Sequence, residues 1–197
     1  MFDAYDELQA ERRFAKDNGI PVLRPQSFDL LTTLVAGFKP QRILEIGTAW
    51  GHSGIAMLKA SPSSHLTGLE LDDDCISKTR ANYKKYGVEK RATLFAGDAG
   101  EIITVLDGKF DFIFLDGPKG HYARYLPYLL QLLNKGGVIF ADNINFMGFV
   151  LSGQKPPQKH NTIVNSMKEY LHAVTTDKTL HTSVLDLEDG VAITVKL

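Results

Sequence analysis

The chain holds 197 residues, 44% of them hydrophobic and 23% charged, with 17 glycines and 8 prolines, a composition that suits one folded domain with a substantial core and excludes disordered and fibrous classes. A formal net charge of −1 gives no overall pull toward nucleic acid or an anionic membrane, and one cysteine, Cys75, excludes an intrachain disulfide. No apolar run reaches the roughly 18 residues of a membrane span, and MFDAYDELQAERR lacks a basic segment followed by an apolar core, so a cytoplasmic protein is expected.

Residues 3–18 and 26–37 read as helices, separated by NGIPVLRP, whose Gly19, Pro21 and Pro25 interrupt helix formation. From about residue 41, β-rich and helical segments alternate, the pattern of crossover units in a parallel sheet. RILEI (42–46), HLTGLEL (65–71), ATLFAG (92–97), FDFIFLD (110–116) and GVIFADN (137–143) are the expected strands, with helices near 52–60, 72–86, 99–107 and 121–133. Right-handed crossovers place those helices on both faces. SGQKPPQKH (152–160) reads as a mobile loop and 160–174 as a helix. Two final β-rich runs flank Glu188, Asp189 and Gly190, so the α/β sheet should end in an antiparallel hairpin. The whole chain, 1–197, reads as a single domain in which residues 1–38 form a helical segment over the active site of a 39–197 core.

In an open parallel sheet, ligands gather beyond the carboxyl ends of the strands. LEIGTAWGHSG (Leu44–Gly54) runs an apolar strand through Gly47 and Gly51 into a helix, a turn that lets a ligand approach the backbone. Its glycine spacing does not match G-x-G-x-x-G, which counts against a dinucleotide. Glu70 ends the second strand about 20 residues later, where a carboxylate accepts hydrogen bonds from ribose hydroxyls. Asp98 has two compatible readings, beside an adenine edge and as cap of the next helix. Asp116, Asp142 and Asn143 close two neighbouring strands with hard oxygen donors suited to Mg²⁺ or Ca²⁺ rather than zinc. Lys119, three residues past Asp116, is in reach of the same substrate atom as a general base. Tyr122 reads either as a cofactor or substrate contact or as a packed helix-start aromatic.

Together these motifs, LEIGTAWG, LELD, AGDA, FIFLDGPKGHY and ADNINFMGFV, resemble the class I S-adenosylmethionine-dependent, metal-dependent O-methyltransferases of the catechol and caffeoyl-coenzyme-A type, over roughly residues 20–197. The resemblance implies a Rossmann-like, seven-stranded, mostly parallel sheet with a C-terminal antiparallel hairpin, and a homodimer. It implies that Glu45, Gly47, Thr48, Gly51, Ser53, Glu70, Asp98, Ala99 and Asp116 surround S-adenosylmethionine, that Asp116, Asp142 and Asn143 bind a divalent cation (Mg²⁺ first, Ca²⁺ or Mn²⁺ as alternatives), and that Lys119 is the base. The chain departs from the family pattern at Trp50, His52, Pro118 and Asn145.

The expected acceptor is a catechol-like or hydroxylated aromatic compound whose two neighbouring oxygens chelate the cation. An alternative follows from resemblance to bacterial members that methylate 5-hydroxyuridine at the tRNA wobble position, with Arg12, Arg13, Lys16, Arg24, Lys155, Lys159 and His160 as phosphate contacts if they converge. A non-catalytic cofactor-binding protein is the remote third reading.

Overall fold

Every β-rich run of the sequence becomes a strand, and all of them pair into one sheet. The computed structural model describes residues 2–197, with side chains from Glu7 onward. Strands β1 (Arg42–Ile46), β2 (His65–Glu70), β3 (Ala92–Ala96), β4 (Phe110–Leu115), β5 (Leu133–Asp142), β6 (Leu180–Leu185) and β7 (Val191–Lys196) lie in the order β3-β2-β1-β4-β5-β7-β6. The pairs among β1 to β5 are parallel, and β7 runs antiparallel to both β5 and β6. The helices are α1 (Phe2–Asp17), α2 (Pro25–Phe38), α3 (His52–Ala60), α4 (Asp73–Lys85), α5 (Ala99–Val105), α6 (Tyr122–Leu132) and α7 (Asn161–Thr176). Among the described residues no helix is long and apolar enough to cross a membrane.

Side-chain alternation along the strands divides the core. Leu44, Ile46, Ile113, Leu115 and Ile139 pack on one face against Tyr122, Leu129, Val164 and Met167 of α6 and α7. Ile43, Phe112, Phe114 and Phe140 pack on the other against Phe28, Leu31, Ile55 and Leu58 of α2 and α3. Each such fully buried aromatic or aliphatic side chain contributes about 1.5–3 kcal/mol, so the sheet centre is the stable frame on which its ends are mounted.

Strands β2, β3, β4 and β5 each end one residue before the expected position, and the start of β5 differs most. β5 starts at Leu133, ahead of Gly136 and Gly137, and residues 134–137 bulge out where its register with β4 slips between Phe110 and Phe112. Gly136, at φ +77°, accommodates the bulge inside a strand that the glycine pair was expected to start. The same strand stops at Asp142 because Asn143 turns left-handed, at φ +57°, a conformation asparagine tolerates better than most residues.

The helical segment ahead of β1 is tied down by charge as well as packing. Arg12 is buried with its guanidinium 3.5 Å from the Phe28 ring centroid, and it donates to the Leu23 carbonyl and, at 2.7 Å, to Gln9 Oε1. Lys85 of α4 pairs with Glu7 at 2.8 Å and Glu11 at 2.5 Å. The N-terminus of α2 takes its cap from across the fold: the Glu188 carboxylate, in the β6–β7 turn, accepts from the Gln26 and Ser27 amides at 3.2 and 3.0 Å and from the Ser27 hydroxyl at 2.9 Å. A carboxylate there satisfies orphan N–H groups and complements the helix dipole.

His52, first residue of α3, is buried beneath α1 with Nε2 3.9 Å from Glu11 Oε2. Burial is the main force lowering its pKa to about 4, with Arg12 and Lys78 assisting and Glu11 opposing. The folded ring therefore stays neutral where the unfolded one, titrating near 6.5, is protonated, and stability is lost as pH falls from about 6.5 toward 4. Denaturant unfolding at pH 7.5 and 5 should show His52→Phe escaping a loss of about 2 kcal/mol that wild type suffers. Equal losses in both proteins would remove His52 as the cause.

Candidate active site

The ends of β1, β2 and β4 converge on one glycine. Gly47, at φ +86°, donates to the Leu69 carbonyl at 3.0 Å, while the Asp116 amide donates to Ile46 at 3.1 Å. A Cβ at position 47 would stand 2.7 Å from the Asp116 carbonyl oxygen, so no other residue lets the two strand ends come this close. Beyond them opens a cleft of about 450 Å³, bordered by Gly47, Glu70, Asp116, Lys119, Asp142 and Asn143. Its outer wall is Pro21, Val22 and Arg24 from the α1–α2 connection. The sequence reading did not single out Pro21 or Val22 as site residues; their only signal was a helix-breaking stretch.

Glu70 is held in place by backbone: its carboxylate accepts from the Ala49 amide at 2.8 Å on one oxygen and from Leu71 and Asp72, at 2.8 and 3.1 Å, on the other. Next to it a pocket of about 90 Å³ lies between Leu71, Pro118 and Tyr125, with Asp98 and Ala99 on its rim. Asp98 also caps α5 through the Glu101 amide at 3.2 Å, so its two sequence readings are compatible in one position. Leu71 and Tyr125 were missed as pocket residues because each reads as an ordinary apolar position of its own element. Thr48 and Ser53 border a narrow recess at the other end of the glycine turn, with Asp116 across from them.

Two residues assigned to the cofactor stand elsewhere. Glu45 shares the parity of Ile43, so strand alternation sends it beneath α3 rather than into the cleft, fully buried, with the Gly54 backbone beside its carboxylate. A methyl built on Gly54 would lie 2.6 Å from Glu45 Oε2 and 2.9 Å from the Tyr83 hydroxyl, so the third glycine of the motif makes room for this buried pair. Burial, then Asp116 and Glu70, raise the Glu45 pKa well above the carboxylate range. Gly51, buried against Tyr83, shapes the turn and borders neither the cleft nor its side pockets.

On the β4–β5 side, Lys119 donates to the Asp116 carboxylate and, at 3.2 Å, to the Tyr122 hydroxyl. Asp142 is buried, and desolvation followed by the Asp116 charge pushes its pKa up to about 7, against the pull of Lys119. Two crowded carboxylates next to the Asn143 amide make a hard-oxygen donor set with a deficit of positive charge, which fits a divalent cation of the Mg²⁺ or Ca²⁺ kind. Among the described residues no three His, Cys, Asp or Glu side chains form a metal site, so the set here is two carboxylates and the Asn143 amide.

The family model for O-methyltransferases matches residues 8–197. The chain belongs to the O-methyltransferase family. A caffeoyl-CoA O-methyltransferase of Stellaria longipes is 30% identical over 136 residues, which cover 64% of this chain and 55% of that one, so the match spans little more than half of the relative. A catechol O-methyltransferase of Niastella koreensis is 31% identical over 153 residues, covering 74% of this chain and 69% of its own. A methyltransferase of Podospora anserina, solved with SAH bound, superposes with a TM-score of 0.86 at 28% identity, covering 99% of this chain and 88% of that one.

Where the sequence reading noted departures from the family pattern, the residues have structural work. Trp50 faces the Phe14 ring of α1 at 6.5 Å and His52 at 6.3 Å, so the atypical turn is the surface on which α1 sits. Asn145 organises the loop after β5 by accepting from the Leu151 amide at 3.0 Å. Arg13, Lys16 and Arg24 line one groove of about 630 Å³ that shares Pro21, Val22 and Arg24 with the cleft. Arg12 borders it too, engaged as described above. Lys155, Lys159 and His160 lie outside that groove, and the His160 ring packs on Phe146 at 5.3 Å.

With Asp142 titrating near 7, a cation that binds below that pH must expel a proton. Mg²⁺ affinity measured by calorimetry should rise with pH up to about 7 and level off above it, and Asp142→Asn should lose both the binding and the pH dependence. An affinity that is flat from about pH 5.5 to 8.5 would contradict this.

Proposed function

We propose that this chain is an S-adenosylmethionine-dependent O-methyltransferase acting on a hydroxyl with a second oxygen beside it, as in catechols and related hydroxylated aromatic compounds. The observation that carries the reading is the convergence of Glu70, Asp116, Lys119, Asp142 and Asn143 on one cleft beside the Gly47 turn. The cofactor supplies an electrophilic sulfonium methyl group. A divalent cation, Mg²⁺ first, supplies Lewis acidity that lowers the pKa of the acceptor hydroxyl.

The chain's own residues do the rest. Gly47 and the backbone-anchored Glu70 hold the cofactor, with Asp98, Ala99 and Tyr125 around its base. Asp116, Asp142 and Asn143 would hold the cation on the side of the cleft where Lys119 meets the acceptor. Lys119 Nζ takes the proton from the attacking hydroxyl. Pro21 and Val22 cover the cleft and exclude water, which strengthens the attraction between the resulting oxyanion and the sulfonium.

A second reading has one observation in its favour. Arg13, Lys16 and Arg24 line a groove continuous with the cleft, as a phosphodiester strand would require, and the neighbouring 5-hydroxyl and 4-carbonyl of wobble 5-hydroxyuridine in tRNA would present the same pair of oxygens.

Labelled S-adenosylmethionine and Mg²⁺ incubated with a catechol panel and with undermodified tRNA separate the two acceptors, and transfer to neither class would sink both readings. Chelator should abolish transfer, and Lys119→Ala should lower kcat by about 10²- to 10⁴-fold with cofactor affinity nearly unchanged. Glu70→Ala should weaken SAH binding by roughly 10- to 100-fold, read by calorimetry, because it removes charge-assisted acceptors and loosens the turn they hold.

A further inference from the structure

Tyr122 is fully buried and borders neither the cleft nor its side pockets, yet its hydroxyl reaches the back of the site. That oxygen lies 2.9 Å from the Leu115 carbonyl and 3.2 Å from the Asp142 carbonyl, the last residues of the two strands that lead to the proposed cation ligands. The single phenolic proton serves those carbonyls, and burial, with Asp116 and Asp142 near, holds the phenol protonated. What remains is a lone pair, and Lys119 Nζ sits 3.2 Å from it. The ring itself is fixed edge-on to Tyr170 at 5.7 Å between centroids, so the hydroxyl is placed before Lys119 arrives.

Lys119 therefore has two of its three N–H directions taken, one by the Asp116 carboxylate and one by Tyr122. A tetrahedral nitrogen with Cε and two fixed partners has one vertex left. We propose that Tyr122 is a positioning residue for methyl transfer: its hydroxyl, anchored on the ends of β4 and β5, rotates Lys119 so that the remaining vertex of Nζ faces the acceptor hydroxyl. In the transfer Lys119 acts as the neutral amine, with its lone pair at that vertex: the acceptor O–H breaks, its proton goes to the lone pair, the oxygen forms a bond to the methyl carbon, and the carbon–sulfur pair leaves with SAH. Tyr122 keeps its own proton throughout. This role rests on the reading of Lys119 as the base.

Tyr122→Phe deletes the hydroxyl alone, and Tyr170→Phe is its control, a neighbouring buried tyrosine whose hydroxyl is not hydrogen-bonded to Lys119. The first readout needs no acceptor: competitive acetylation of the protein by trace acetic anhydride, with labelling of Lys119 measured against the other lysines by mass spectrometry. Release of Nζ should raise Lys119 labelling about three- to tenfold in Tyr122→Phe and leave it unchanged in Tyr170→Phe. The second readout is turnover of 3,4-dihydroxybenzoate, an unsymmetrical catechol, with S-adenosylmethionine and Mg²⁺. In Tyr122→Phe kcat should fall about 10- to 100-fold at unchanged KM for the cofactor, and the ratio of 3-O to 4-O product should shift, because the base no longer favours one oxygen. A purely structural role would lower melting temperature and active fraction while leaving both labelling and product ratio at wild-type values, and that result overturns the proposal. If wild type transfers no methyl to the catechol, the substrate reading has failed separately and labelling decides alone: increased labelling supports the role of Tyr122, and unchanged labelling overturns it.

Discussion

The close passage of two strand ends, Gly47 over the Asp116 carbonyl, sets the position of everything chemical in this molecule. With a side chain at 47 the ends of β1 and β4 would have to separate, since a Cβ would come within 2.7 Å of that oxygen. The Gly47-to-Leu69 and Asp116-to-Ile46 hydrogen bonds continue the sheet one step past its strands. Glu70 and Asp116 thereby reach the same cleft from β2 and β4, and their backbone is as rigid as the core behind it. A site mounted on strand ends is placed more precisely than one on free loops.

That precision concentrates negative charge. Asp116, Asp142 and Glu70 border one cleft, and Glu45 lies buried behind it. Desolvation is the largest cause of the raised pKa of both Glu45 and Asp142, and in each case the charge of Asp116 comes next. Lys119 offsets part of this through Asp116. The remainder is a surplus of negative charge at the carboxyl end of the sheet, a local cost to stability.

The outer wall of the cleft belongs to the segment ahead of the sheet, and its attachment is made by partners distant in sequence. Glu188 reaches from the last hairpin to cap α2, Lys85 reaches from α4 to Glu7 and Glu11, and Arg12 fastens α1 to the Leu23 carbonyl. Pro21, Val22 and Arg24 are thereby suspended between α1 and α2 over the strand ends. The wall thus adds ion pairs and a cap to the apolar packing of Leu8, Leu23, Phe28 and Leu31, whereas the floor rests on the packed strands of the sheet alone.

The sequence alone determined the strand and helix order, the terminal hairpin, and the clustering of Glu70, Asp116, Lys119, Asp142 and Asn143, because periodicity and strand-end position are local properties that carry over directly into a parallel sheet. It also offered Asp98 as the cap of the next helix, the position it takes on α5. It did not place Glu45 correctly, since a motif position says nothing about which face of a strand a residue takes in the finished sheet, and the parity of Ile43 put that carboxylate under α3. Nor did it foresee the bulge at residues 134–137, which depends on register with a neighbouring strand. The cap that Glu188 makes on α2, the wall of Pro21 and Val22, the convergence of Arg13, Lys16 and Arg24 on one groove, and the hydroxyl of Tyr122 behind Lys119 were decided by tertiary structure. The Glu188 cap, the wall over the strand ends and the anchoring of the Tyr122 hydroxyl on the Asp142 carbonyl join elements apart in the chain, and only packing brings such residues together.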